Sequence, residues 1–207
     1  MSRPADALLF VAPQCGHCPG VLAALAELVK AGKIGRLEVV NVVARPEAAA
    51  EHGVRSVPWT RIGDFVFEGV LGRGELEQWA KHAADGTGFD DYAAALIEER
   101  RLDRLIALVR AAPERLGDLL KLAGDLETPM GVRVGIGAVV ESFAGGDALR
   151  AQIPLLATFA QSPLAPVRMD ACYYLGLCRD DAARDLLKDR LNDPDPEVRE
   201  IAAEGLE

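Results

Sequence analysis

Apolar residues follow two different patterns along the chain, and the change comes near residue 90. Before it, short apolar runs alternate with amphipathic stretches. The run ALLFV at 7–11 reads as a buried strand, 19–35 as an amphipathic helix ended by Gly32, and RLEVVNVV at 36–43 as a second, β-branched strand. A short helix opened by Pro46 follows over 45–54, since proline fits the first helical turn. Two strands then span 58–70 around a Gly63–Asp64 hairpin turn, and a helix covers 73–83. The predicted order is β-α-β-α-β-β-α.

The segment ADGTGFDD at 84–91 has the glycine and aspartate content of a boundary. From Tyr92 onward only helical spacing is found, as in Leu102, Leu105, Ile106 and Val109. This half repeats itself. VRVGIGAVVE from Val132, VRMDACYYLG from Val167 and VREIAAEGLE from Val198 share a Val-Arg start, and the starts lie 35 and 31 residues apart. A Leu-rich helix precedes each, at 118–126, 154–162 and 184–192, with a Pro- or Asp-containing turn between. Helix pairs at this period predict an α-solenoid, in which no pair buries its apolar face alone. The closing unit, NDPDPEVREIAAEGL, resembles a HEAT-type repeat; the resemblance covers roughly 100–207, and the tryptophan and tyrosine landmarks of tetratricopeptide repeats are missing.

Composition narrows the function. The chain has 207 residues, half of them apolar, and a formal net charge of −9. Residues 1–88 carry 9 Lys+Arg against 10 Asp+Glu, whereas 89–207 carry 14 against 22, so the acidity belongs to the second half. Such a surface repels phosphate, which argues against nucleic-acid partners and against an anionic membrane. No apolar run approaches the roughly 18 residues of a membrane span. The early ALLFVA run is too short for a signal-peptide core, and cleavage at the usual length would discard the cysteines that follow. A cytoplasmic location is expected, where thiols are kept reduced.

Those cysteines stand in APQCGHCPG, at Cys15 and Cys18, on the joint between the first predicted strand and helix. By itself a C-x-x-C can be a disulfide switch, half of a metal site, or a degenerate pair with no chemistry. If the helix begins near Cys15, the two Cα atoms are expected about 5 Å apart, within disulfide range. The N-terminal dipole and free N–H groups favour a Cys15 thiolate, below the ordinary cysteine value of ~8.5, and a protonated His17 adds to this. The reduced pair is then stabilised, which makes the disulfide a comparatively strong oxidant. Zinc asks for four ligands, and the only other cysteines, Cys172 and Cys178, lie six apart on one predicted helix and read as buried core thiols.

This strand–CGHC–helix context, with HGVRSVPWT about forty residues later, resembles the thioredoxin superfamily. The resemblance implies a thioredoxin-like fold over 1–86 in the smaller glutaredoxin-type order, a linker and connecting helix over 87–100, and HEAT-like repeats over 101–207. The expected class is thus an α+β unit followed by an all-α unit. It also implies that Cys15 is the exposed nucleophile and Cys18 the resolving thiol, with Gly16 and His17 between them. Pro58 matches a cis-proline preceded by a β-branched residue, here Val57, whose backbone binds a substrate chain as an added strand. Pro13 and Trp59 are candidates to line the groove, with packing against the sheet as the alternative for Trp59. The sequence departs from the thioredoxin pattern at Leu9, where thioredoxins carry a buried acid, at Gln14 in place of tryptophan, and at Pro19-Gly20.

Other candidates have plainer readings. His52 and His82 read as solvated helix-end residues and Trp79 as core beside Leu76. Gly131, Gly135 and Gly137 lack the strand and lysine of a phosphate loop and read as close helix packing. The expected function is a thiol–disulfide oxidoreductase needing no metal or organic cofactor, acting on protein thiols or disulfides. Electrons would come from glutathione or a reductase, and the repeats would position a protein partner. The alternative is a scaffold or redox sensor that does not turn over. The last helix lacks an obvious polar cap, which leaves room for a homodimer through that end.

Overall fold

A computed structural model describes residues 3–207. The chain divides into two compact units, one ending at Phe89 and the other running Asp90–Glu207.

The first unit contains β1 (Ala7–Val11), α1 (Cys18–Lys30), β2 (Leu37–Asn41), α2 (Pro46–Glu51), β3 (Trp59–Ile62), β4 (Phe65–Glu68) and α3 (Arg73–Asp85). The strands form one sheet in the order β2-β1-β3-β4. β1 and β2 run parallel, joined by α1, while β1–β3 and β3–β4 are antiparallel. The β3–β4 hairpin turns at Gly63, whose φ of 56° is the left-handed region that glycine adopts without penalty. Strand alternation sends side chains to two cores. Ala7, Leu9 and Ile62 meet Val21, Leu25 and Leu28 of α1 and Leu76 and Ala80 of α3. On the other face Leu8, Phe10, Trp59 and Val66 pack with Ala48 and Ala49 of α2.

The α3 helix stops at Gly86 (φ 68°), which caps it in the left-handed conformation. The second unit is helical throughout the described residues: α4 (Phe89–Glu98), α5 (Leu102–Ala111), α6 (Arg115–Gly124), α7 (Met130–Glu141), α8 (Asp147–Arg150), α9 (Ile153–Phe159), α10 (Ala165–Cys178), α11 (Asp181–Arg190) and α12 (Pro196–Glu204). The segment predicted to link the units therefore contains α4, whose Ile97 packs against α7. A Cβ at Gly135 would overlap Ile97 Cγ2, so glycine there permits the approach.

The repeats show as helix pairs. α6 packs on α7, α9 on α10 and α11 on α12, while α9 also meets α11 and α10 meets α12. First helices thus stack on first helices and second on second, as in a solenoid. The arginine of each Val-Arg ties back toward the first helix of its own pair: Arg133 donates to the carbonyl of Ala123 at the end of α6, while Arg168 and Arg199 donate to the turn carbonyls of Ser162 and Asp193. Two of them also reach the next repeat, Arg133 to Asp170 and Arg168 to Asp193. At α12 the Asp195 carboxylate accepts the N–H groups of Glu197 and Val198, with Pro196 in the first turn, a standard N-cap. The aspartate-proline turn in the sequence is this cap.

Candidate functional site

The β1 strand delivers the chain into a tight turn in which the Cys15 N–H donates to the Ala12 carbonyl at 3.1 Å. α1 then starts at Cys18, with His17 at the N-cap position. The helix read over 19–35 thus starts one residue earlier, at Cys18, and Cys15, Gly16 and His17 precede it, so Cys18 is its first residue and not one turn in from a start near Cys15. The reason is Pro19. Having no N–H and clashing with the preceding turn, proline is tolerated only in the first helical turn, so the helix begins just before it.

The electrostatic consequence survives the shift. Cys18 N–H, one of the unpaired donors of the first turn, donates to Cys15 Sγ at 3.1 Å, so this sulfur lies at the positive end of α1. Cys15 and Cys18 form a disulfide with their Cα atoms 5.5 Å apart. The two sulfurs are unequally placed: Cys18 is 4% exposed and starts the buried face of α1, whereas Cys15 is half-buried in a turn whose Pro13, Gln14, Gly16 and His17 are exposed. Opposite them, the carbonyl oxygen of Val57 is 3.7 Å from Cys15 Sγ. The Val57–Pro58 peptide bond is cis, and Pro58 is buried.

The structure decides the open reading of Trp59 and corrects that of the histidines. Trp59 is 2% exposed and sits in the core between the sheet and α2, edge-on to Phe10, so its side chain is not available to line a groove. Alternation explains this, because Trp59 pairs with Phe10 and shares its face. His52 does end α2, as its C-cap residue, but it is not solvated: it is half-buried, with its ring 5.5 Å from that of Phe10 and 5.9 Å from that of Trp59. The aromatic pair creates that site, and no local spacing announced it. His82 lies in the last turn of α3 and is likewise half-buried, with Nδ1 3.0 Å from Thr87 Oγ1. Trp79 is half-buried against Phe65 and Phe67.

Leu9, at the acid position of thioredoxins, is fully buried among aliphatic side chains, so no carboxylate from β1 reaches the disulfide. Sequence reading passed over Thr60, which pairs with Leu9 on the same face and is itself buried. Cys172 and Cys178 are free and fully buried, and burial pushes both thiols up to about 11. Among the described residues no group of three or more His, Cys, Asp or Glu side chains is placed to hold a metal ion. No helix among them is long and apolar enough to cross a membrane.

A mixed four-stranded sheet with a disulfide at its first strand–helix joint, facing a cis-proline loop, defines a thioredoxin-like domain. Comparison with known proteins agrees. The sequence model of the thioredoxin domain matches residues 8–81, and that of HEAT repeats matches residues 137–207. A thioredoxin of Methanocaldococcus jannaschii is 35% identical over 64 residues, covering 30% of this chain and 75% of the relative. The chain belongs to the thioredoxin family through its N-terminal unit, and its C-terminal unit carries HEAT repeats.

Proposed function

We propose that the protein is a thiol–disulfide oxidoreductase that exchanges disulfides with protein substrates through Cys15 and Cys18, while the helical repeats position a protein partner. The observation that carries this reading is the asymmetry of the pair, with Cys15 Sγ in the accessible turn under an N–H from the start of α1, and Cys18 beneath it. In the reducing direction the Cys15 thiolate attacks one sulfur of a substrate disulfide and the other leaves as a thiol. Cys18 then attacks Cys15 Sγ, releasing the second substrate thiol and closing Cys15–Cys18. Two electrons pass to the substrate, and glutathione or a reductase restores them. The Val57 carbonyl beside Cys15 would receive the substrate backbone, with Pro58 shaping the loop and Pro13, Gly16 and His17 at its rim. The division of labour follows the boundary near residue 90.

A second reading rests on Leu9. With no buried acid to assist deprotonation of Cys18, the second step is slowed, as suits a redox-sensing scaffold that does not turn over. Insulin reduction by wild type and Cys15→Ser separates the two: turnover lost in the variant supports the enzyme, and none in either supports the scaffold. A Cys18→Ser variant should hold mixed disulfides on Cys15, and an empty trap removes the exchange reading.

A further inference from the structure

Thr60 Oγ1 is buried and has no hydrogen-bond partner, the only such side-chain atom among the described residues. The residue is 1% exposed, in the middle of a sheet. A buried hydroxyl left unpaired costs free energy that a valine of the same shape would not. Such an atom calls for a physical account, and its place in the fold supplies one.

The β1–β3 register sets Thr60 opposite Leu9, and Ile62, two residues on, points to the same core as Leu9. Thr60 therefore faces α1 and α3. The buried residues of α1 are Cys18, Val21, Leu25 and Leu28, and those of α3 are Leu76 and Ala80. Of these six only Cys18 carries a heteroatom in its side chain. Trp79, at the edge of this core, offers a donor and no acceptor. Thr60 also follows Pro58 by two residues on one face of the chain, which puts it toward the disulfide end of the sheet.

We propose that the Thr60 hydroxyl is a hydrogen-bond donor reserved for the Cys18 sulfur, idle while the disulfide is closed and engaged once it opens. This rests on the exchange reading above. When two glutathione thiols reduce the pair, two electrons and two protons pass to the protein, giving Cys15 and Cys18 thiols and one glutathione disulfide. The freed Cys18 sulfur is a better acceptor than a disulfide sulfur, and better still as a thiolate, whose charge the bond favours. Thr60 thus stabilises the reduced form and eases the resolving attack, from the strand beside the aliphatic Leu9.

The test equilibrates wild type, Thr60→Val and Thr60→Ser with mixtures of reduced and oxidised glutathione and quantifies free thiols by alkylation. Valine should lower the equilibrium constant for reduction by about tenfold, which is about 30 mV more negative for a two-electron couple, and serine should restore most of it. Thermal unfolding of each protein, oxidised or reduced with a phosphine, gives a second reading. Valine should leave the oxidised form at least as stable as wild type and destabilise the reduced form. Equal shifts in both forms, or an unchanged potential, would overturn the proposal. Should wild type not exchange with glutathione at all, the exchange reading fails, while the comparison of phosphine-reduced and oxidised forms still decides the role of Thr60.

Discussion

Arg168 grips Asp193 with two parallel hydrogen bonds, from Nε to Oδ2 at 2.9 Å and from Nη2 to Oδ1 at 2.8 Å. The guanidinium belongs to the second helix of one repeat and the carboxylate to the turn of the next, so the pair fixes the spacing between repeats. Its surroundings complete the satisfaction that a buried ion pair requires: Arg168 also donates to the Ser162 carbonyl, and Asp193 accepts the Asp195 N–H.

Removing Arg168 takes both close hydrogen bonds from the buried Asp193 carboxylate and leaves Arg190, 3.5 Å away, as its charge partner. Arg168→Met is expected to cost about 3–5 kcal/mol, while pairing it with Asp193→Leu should recover much of the loss. Hydrogen exchange of the α10–α12 amides reads this locally; equal protection in the single and double variants would contradict it.

The same pair makes stability depend on acid. The Arg168 hydrogen bonds hold the Asp193 carboxyl below the usual carboxylate range, against the opposing effect of burial. A carboxyl depressed in the folded state contributes its full share above the unfolded value of roughly 3.9 and loses it as pH falls through the folded value. Denaturant titrations from pH 6 downward should show this loss in wild type and a shallower one in Asp193→Asn.

Two glycines four residues apart on α7 should respond with opposite signs. Gly135→Ala drives a methyl into Ile97 and is expected to destabilise by about 1–3 kcal/mol, relieved by Ile97→Ala. At Gly131 a Cβ meets nothing within 4 Å, so Gly131→Ala should stabilise by about 0.5–1 kcal/mol. Urea midpoints of the three variants check the order.

The N–H above Cys15 Sγ predicts thiol acidity. In the reduced protein, alkylation of Cys15 should reach half its plateau rate at a pH below the ordinary ~8.5. A midpoint at or above that value would show that the start of α1 does not stabilise a thiolate.

The strands were legible because each is short, apolar and bounded by turn residues, and the repeats because Val-Arg recurs at near-constant spacing. The pairing of Arg168 with Asp193 was not, since sequence shows the arginine recurring without showing what it grips. The start of α1 was legible to within one residue from Pro19, which belongs in a first helical turn, and only the placing of Cys15 itself at that start did not hold. Trp59 was left between two readings; the alternation that pairs it with Phe10 resolves it once the strand register is known. Thr60 and His52 acquire their settings from strand pairing and aromatic contact, which no local pattern encodes.

Four cysteines enter this chain, yet Cys172 and Cys178 lie in the helical core with no exposed surface. Their seclusion keeps the ledger of electrons simple: the native protein should give and take them strictly in pairs, one pair per chain. A reagent that counts thiols should find two in the folded, reduced protein and four only after the helices come apart.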